Sequence, residues 1–227
     1  MTASSSAQAE PNYVAAPAGG GPGVLVLHAW WGLSDGIRRF CDRLAGEGFV
    51  ALAPDLCDGR TARTIAEARA LVQEVDDDAA TGRAAGGIAR LRAHPAVRGE
   101  LGVAGFSMGV WFALDLAAKH GDVEAVVLYY GTASGVDHGR RRTPVLGHFA
   151  EHDDFEPADE VSSLEDDLRR AGRPVRFHVY PGSGHWFAEE DRPEAYDVAA
   201  ASLAFRRTVG FLRSQLQKET VAPPDKG

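Results

Sequence analysis

The sequence predicts an α/β fold in which a mostly parallel sheet is covered by helices on both faces. Short apolar runs alternate along the 227 residues with longer stretches whose apolar positions recur every three or four residues. The apolar runs are typical of strands buried on both faces, and the periodic stretches are typical of helices that pack on a sheet. Because no internal repeat and no long linker interrupts this alternation, we expect a single domain.

The predicted elements extend from residue 11 to residue 216. The strands are an edge strand at 11–16 and buried strands at 24–27, 49–53, 101–104, 125–129, 144–149 and 175–180. The helices are at 35–46, 65–75, 77–93, 110–120, 162–171 and 196–216, and Ser34 is expected to cap the first of them. Residues 1–10 and 219–227 are expected to be flexible tails.

The composition argues against several classes of protein. A formal net charge of −8 at pH 7 disfavours nucleic acids and anionic membranes as partners. No apolar stretch approaches the roughly 20 residues that a membrane-spanning helix needs, and the N-terminus lacks the basic and apolar segments of a signal peptide. Two cysteines, Cys41 and Cys57, do not indicate a disulfide scaffold, so we expect buried thiols and a cytoplasmic location.

The most informative motif is Gly105-Phe106-Ser107-Met108-Gly109, which lies between the predicted strand at 101–104 and the helix at 110–120. This is the G-x-S-x-G pattern of a nucleophile elbow, in the strand–turn–helix context that the motif requires. Glycine is needed on both sides of the serine because the backbone comes too close there for a Cβ atom. The turn is expected to expose Ser107 Oγ and to aim the Met108 N–H at the group that Ser107 attacks.

Two further polar residues follow predicted strands. Asp153 comes after the strand at 144–149 and His185 after the strand at 175–180, and ligands of open α/β sheets bind beyond the carboxyl ends of the strands. The chain order Ser107, Asp153, His185 is that of the α/β-hydrolase triad. Histidine would act as general base for the serine, and the carboxylate would fix the imidazole tautomer. Asp154 is an alternative to Asp153 as the acid.

The loop after the strand at 24–27 is expected to complete the site. An oxyanion hole needs a second donor besides the Met108 N–H, and the Trp30 N–H is the predicted one. Trp31, Phe106 and Trp186 are predicted to line the substrate pocket. Two alternatives stay open, namely that the loop tryptophans belong to the core and that His185 lies on an ordinary surface loop.

A metal site is a further alternative, because His148, His152, Asp153 and Asp154 lie close together in the sequence. Their spacing matches no zincin-type pattern, and neighbouring side chains at the end of a strand point in opposite directions. We therefore expect no metal.

The chain resembles the dienelactone hydrolases over about residues 11–216. Four segments carry the resemblance, namely the stretch from His28 to Leu56 and the segments at 105–109, 152–157 and 180–187. The resemblance implies a single-domain α/β-hydrolase fold without a large cap, hydrolysis of an ester or lactone, and no metal or cofactor. It also places the catalytic acid on Asp153 and the catalytic histidine on His185.

Three positions depart from the pattern of that family. The usual nucleophile is cysteine where this chain has Ser107, and a glutamate usually stands where this chain has Ala29. These two changes agree with each other, because the glutamate partners a resting thiol and a serine has no thiolate. The archetypal enzyme binds the substrate carboxylate with an arginine where this chain has Glu189, which would repel an anion. Together, Glu189, Glu190 and Asp191 predict an acidic rim of the site and a preference for neutral esters.

These residues predict a serine hydrolase that cleaves a small carboxylic ester or lactone through an acyl-enzyme. The same triad could hydrolyse a thioester, amide or carbon–carbon bond, because the shape of the pocket decides which leaving group is accepted. A non-catalytic binding protein is the other alternative, since a fold alone does not determine function. The expected partner is a small-molecule ester or lactone, and nothing in the sequence indicates an oligomeric state.

Overall fold

The computed structural model of the protein describes residues 12–138 and 141–217. The two predicted tails, 1–10 and 219–227, lie outside these residues. Within the described ranges, no helix is both long enough and apolar enough to cross a membrane.

A seven-stranded sheet forms the centre of the domain, with the strands in the order β1-β3-β2-β4-β5-β6-β7. The strands are β1 (Asn12–Ala15), β2 (Gly21–Leu27), β3 (Val50–Pro54), β4 (Val97–Phe106), β5 (Val123–Tyr129), β6 (Val145–His152) and β7 (Val175–Gly184). All neighbouring strands are parallel except β1, which pairs antiparallel with β3 at one edge. The strand order reverses between β2 and β4, which is where ligands of such sheets bind.

The described part of the chain also forms six helices. They are α1 (Asp35–Gly46), α2 (Ile65–Glu74), α3 (Asp77–Ala93), α4 (Gly109–Lys119), α5 (Ala158–Arg170) and α6 (Val198–Leu216). Ser34 caps α1, as predicted, by accepting a hydrogen bond from the Ile37 N–H. The α/β fold with one domain is therefore confirmed.

The alternation of residues along β2 and β4 shows that both faces of the sheet are covered. A Cβ atom on Gly23 would meet Leu91 of α3, and a Cβ atom on Gly102 would meet Leu212 of α6. Gly23 pairs with Leu101, so these two residues share one face of the sheet. Gly102 follows Leu101 and therefore points to the opposite face. The helices α3 and α6 therefore lie on opposite faces.

Strands β6 and β7 are longer than the sequence predicted. The apolar runs end near Phe149 and Tyr180, but strand pairing continues to His152 and Gly184. Asp153 and His185 therefore follow their strands directly.

Two helices begin two or more residues away from the predicted position. Helix α5 begins at Ala158, directly after Pro157, instead of at 162. The prediction missed its first turn because that turn is polar and the buried residues of the helix, Leu164 and Leu168, come later. Helix α6 begins at Val198 instead of 196, because the Asp197 carboxylate accepts hydrogen bonds from the first N–H groups of the helix.

Candidate active site

The chain turns sharply from β4 into α4 at Ser107, whose φ is +48°. Few residues other than glycine adopt this left-handed conformation, and the strained serine of a nucleophile elbow is one that does. A Cβ on Gly105 would lie 2.5 Å from the Gly109 carbonyl oxygen, and a Cβ on Gly109 would lie 2.3 Å from the Leu27 carbonyl oxygen. The steric reason expected for both glycines is therefore present.

Side chains that follow β4, β6 and β7 form a chain of hydrogen bonds. Ser107 Oγ lies 2.9 Å from His185 Nε2, and His185 Nδ1 lies 2.7 Å from Asp153 Oδ2. The side chains of His185 and Asp153 are each only 4% exposed, so His185 does not lie on an ordinary surface loop. The arrangement suits an imidazole that donates from Nδ1 to the carboxylate and accepts from the serine hydroxyl at Nε2.

The loop after β6 fixes the orientation of Asp153. Its Oδ1 accepts hydrogen bonds from the N–H groups of Phe155 and Glu156, each at 2.9 Å. This leaves Oδ2 for His185. Asp154 is exposed, so the structure brings Asp153 and not Asp154 to the imidazole.

The loop between β2 and α1 lies beside the elbow, and His28 fixes its first residues. The Leu56 N–H donates to His28 Nε2 at 3.0 Å, so Nδ1 carries the proton and donates to the Ala29 carbonyl at 2.7 Å. Burial lowers the pKa of His28, which keeps the ring neutral. The backbone N–H groups of Trp30 and Met108 donate no hydrogen bond to any described residue, so both donors are available to a ligand.

Aromatic rings surround the imidazole of His185. The ring centroids of Phe155 and Trp186 lie 5.1 and 4.7 Å from it. The Trp30 ring packs on both, at 5.6 Å from Phe155 and 5.9 Å from Trp186. Trp31 is only 2% exposed and packs beneath this group, so it belongs mainly to the core while Trp30 stays half-buried at the surface.

A cleft of about 760 Å³ opens beside His185. Trp31 and Trp186 lie in its lining together with Phe155, and their role as substrate-pocket residues stays a prediction. The charged residues of the lining are Arg63, Asp154, Glu194 and Asp197. The cleft is therefore aromatic next to the imidazole, and its charged lining residues carry more negative than positive charge.

Phe106 does not line a pocket, and this prediction is wrong. It is 1% exposed, and its ring stacks on Tyr129 at 4.4 Å and meets Phe40 of α1 at 4.9 Å. Phe106 directly precedes Ser107 in the motif, which suggested that its side chain would line the pocket. As the last residue of β4, however, it points to the face that α1 covers.

Two residues at the site, Tyr130 and Phe155, were not predicted. Tyr130 follows β5, and its ring lies 5.2 Å from the His185 imidazole. Its place after the strand next to the elbow was a usable signal. Phe155 had no such signal, because its contact with His185 depends on how the loop after β6 folds.

The four residues considered as metal ligands do not come together. His148 is buried, where it hydrogen-bonds Tyr180 and Thr208, while the side chain of His152 is 74% exposed. Among the residues that the structure describes, no group of three potential ligands could hold a metal ion.

Comparison with known proteins identifies the family. The model of the dienelactone hydrolase family matches residues 11–216. The chain belongs to the dienelactone hydrolase family. Like its relatives in that family, it is a hydrolase that acts on ester bonds.

Relatives of this dienelactone hydrolase family member span most of its length. Protein usf of Aquifex pyrophilus is 34% identical over 215 residues, which cover 90% of this chain and 93% of that protein. The carboxymethylenebutenolidase of Pseudomonas putida is 28% identical over 205 residues, which cover 84% and 85%. The dienelactone hydrolase-like promiscuous phosphotriesterase P91 from metagenomic libraries has the same fold, with a TM-score of 0.77, 23% identity, and coverage of 86% of this chain and 87% of that one.

The acidic rim predicted after His185 is not formed. Glu190 forms ion pairs with Arg39 and Arg43 of α1, at 3.0 and 3.1 Å. Asp191 accepts a hydrogen bond from the Gly36 N–H at the start of α1. The carboxylates therefore attach this loop to α1 instead of facing the substrate.

Glu189, where the archetypal dienelactone hydrolase has its arginine, is buried beneath the site. It is 2% exposed, and the Tyr130 hydroxyl donates to its Oε1 at 3.3 Å. Burial and the nearby Asp191 raise the pKa of Glu189 to about 8, against the opposing effect of Arg192. The position therefore offers no cation to a substrate carboxylate, and its own carboxyl is largely protonated at neutral pH.

Substitution of Gly109 by alanine tests the crowding at the elbow. We expect Gly109→Ala to lower the free energy of unfolding by about 3 kcal/mol, because the new Cβ meets backbone that cannot move aside. Gly86→Ala is the matched control, since nothing lies within 4 Å of a Cβ there, and alanine stabilises an interior helical position by about 0.5–1 kcal/mol. Urea denaturation measures both, and equal stabilities for the two variants would contradict the crowding.

Substitution of Glu189 by glutamine tests the buried carboxyl. The pKa of about 8 lies above the ordinary value of 4.5, so the folded protein keeps a proton that the unfolded chain has released between these values. The contribution of Glu189 to stability is therefore full below about pH 4.5 and is lost as the pH rises towards 8. Relative to Glu189→Gln, the wild type should lose up to about 1.4 kcal/mol per pH unit in this window. Urea denaturation at several pH values measures this, and a constant difference would contradict it.

Proposed function

We propose that this protein is a serine hydrolase that cleaves a small carboxylic ester or lactone through an acyl-enzyme. The observation that carries the proposal is the chain of hydrogen bonds from Ser107 through His185 to Asp153, at 2.9 and 2.7 Å. Ser107 needs a base, which His185 supplies, and His185 needs a fixed tautomer, which Asp153 supplies.

Acylation begins when Ser107 Oγ attacks the acyl carbon and gives its proton to His185 Nε2. The developing oxyanion accepts hydrogen bonds from the Met108 and Trp30 N–H groups, which have no other acceptor among the described residues. The bond between the acyl carbon and the leaving oxygen then breaks, and His185 returns the proton to that oxygen. The product of this half-reaction is an ester on Ser107 and a free alcohol, or the open-chain hydroxyacyl group of a lactone.

Deacylation repeats these steps with water. His185 Nε2 takes a proton from the water that attacks the acyl carbon, and then protonates Ser107 Oγ as the carboxylic acid leaves. Asp153 stabilises the imidazolium through Oδ2, while the N–H groups of Phe155 and Glu156 hold its other oxygen.

The thiols of this chain support the choice of serine as nucleophile. Burial raises the pKa of Cys57 to about 11 and that of Cys41 even further, so both remain uncharged and unreactive. Both cysteines are unpaired, which agrees with a cytoplasmic location, and that location stays a prediction.

The substrate proposed here is a neutral ester or lactone. A relative carries the name carboxymethylenebutenolidase, but the position that binds a substrate carboxylate in the archetypal family member is the buried Glu189 in this chain. The lining of the cleft carries three carboxylates and one guanidinium, of which the Asp197 carboxylate also caps α6. This distribution of charge disfavours an anionic substrate.

Loss of the nucleophile or the base should abolish turnover. With p-nitrophenyl acetate and butyrate, we expect Ser107→Ala and His185→Ala to lower kcat by about 1,000-fold or more. Ser214→Ala and His120→Ala are the matched controls, because both residues lie far from the carboxyl ends of the strands, and they should keep wild-type rates. Wild-type turnover in Ser107→Ala, or a folded wild type that neither turns over an ester nor reacts with a fluorophosphonate, would remove the proposal.

Charge selectivity is measured with a lactone carboxylate and its neutral methyl ester. We expect the methyl ester to have the higher kcat/KM, because the anion meets carboxylates in the cleft and no cation at position 189. Raising the salt concentration should reduce the difference by screening these charges. Faster hydrolysis of the anionic lactone would show that the assigned substrate charge is wrong.

A further inference from the structure

A second cavity lies between α4 and the α2–α3 junction. We call it the α4 groove, and its volume is about 240 Å³. Its apolar lining consists of Val72, Val75, Ala80, Met108, Trp111 and Phe112. Asp77 and Thr81 add the polar part of the lining. Trp111 is 37% exposed, which is unusual for the largest apolar side chain, so the groove presents a tryptophan face to solvent.

Met108 connects the α4 groove to the nucleophile elbow. It is the residue after Ser107, its N–H is the proposed oxyanion donor, and its side chain lines the groove. The turn is continuous, since the Val110 N–H donates to the Ser107 carbonyl and the Trp111 N–H donates to the Met108 carbonyl. An acyl group whose oxyanion lies at the Met108 N–H is therefore held by a residue whose side chain forms one wall of the groove.

The geometry of the tetrahedral intermediate decides which part of the substrate takes this path. The acyl carbon carries Ser107 Oγ, the oxyanion, the leaving oxygen and the acyl chain. His185 must reach the leaving oxygen to protonate it, so the leaving group lies towards the cleft that His185 lines. The acyl chain occupies the remaining direction, away from His185. Among described residues, the α4 groove and that cleft share no lining residue.

We propose that the α4 groove binds the acyl chain of the substrate, which is therefore short and apolar, while a more polar alcohol leaves through the cleft. This inference rests on the proposed serine hydrolase function and assigns its substrate class. At about 30 Å³ for each heavy atom, the groove holds roughly eight heavy atoms. Esters of acids with about six to eight carbons fill it.

The burial of methylene groups sets the size of the expected effect. Each methylene that enters the groove should raise kcat/KM by up to about fourfold, which corresponds to about 0.8 kcal/mol. The gain should stop once the groove is full, because further methylenes remain in water.

The experiment measures kcat/KM for p-nitrophenyl esters with acyl chains of two, four, six, eight and twelve carbons. The wild type should show a rise up to six or eight carbons and a fall at twelve. Val75→Phe fills the groove, so it should lower the octanoate value by about tenfold or more and leave the acetate value within about threefold. Val179→Phe is the matched control, because Val179 is 57% exposed on the edge strand β7 and should keep the wild-type profile.

Trp111→Ala is a second variant, which keeps the inference testable if Val75→Phe does not fold. Removing this half-exposed wall enlarges the groove, so the optimum should move to longer chains. Ester hydrolysis that depends on Ser107 but has a profile unchanged in both variants would overturn the groove assignment alone. Absence of any hydrolysis or fluorophosphonate labelling in the folded wild type would overturn the hydrolase proposal, and this inference with it.

Discussion

The close approach of backbone to backbone around Ser107 is the constraint on which the rest of the site depends. Gly105 and Gly109 allow β4 to turn into α4 without collision, and a Cβ on Gly131 would lie 2.5 Å from the Ser107 carbonyl oxygen. The Ser107 N–H donates to the Tyr129 carbonyl at 2.9 Å, which ties the elbow to the end of β5. The neighbouring strands therefore hold Ser107 at a positive φ, which is unfavourable for a residue with a side chain.

The buried polar groups beneath the site hold its loops in place. His28 joins the loop after β2 to Leu56, and the amides of Phe155 and Glu156 orient Asp153. Glu189 lies behind Tyr130, whose ring faces the imidazole, so the position that carries a substrate-binding arginine in the archetypal relative has become part of the interior. A change from a cation to a buried carboxyl group alters both the charge offered to a substrate and the pH dependence of the stability of the fold.

Two cavities of different chemistry are lined by residues of the candidate site, one by His185 and the other by Met108. The cleft beside His185 is aromatic and acidic, whereas the α4 groove beside Met108 is smaller and mainly apolar. In the proposed mechanism the leaving oxygen faces His185, so the position of the base assigns the leaving group to the cleft and the acyl chain to the α4 groove. The asymmetry of the site is thus a consequence of the triad geometry together with the helices that flank it.

The sequence by itself determined the fold class, the chain order of Ser107, Asp153 and His185, and the need for glycine at 105 and 109. Apolar periodicity and local sterics are properties of short segments, so they can be recognised without the fold. Only the tertiary structure decided between Asp153 and Asp154, moved Phe106 into the core, and buried Glu189 instead of exposing it on a rim. These outcomes depend on which distant side chains fill the same space, such as Tyr129 against Phe106 and Tyr130 against Glu189, and no local pattern records such contacts.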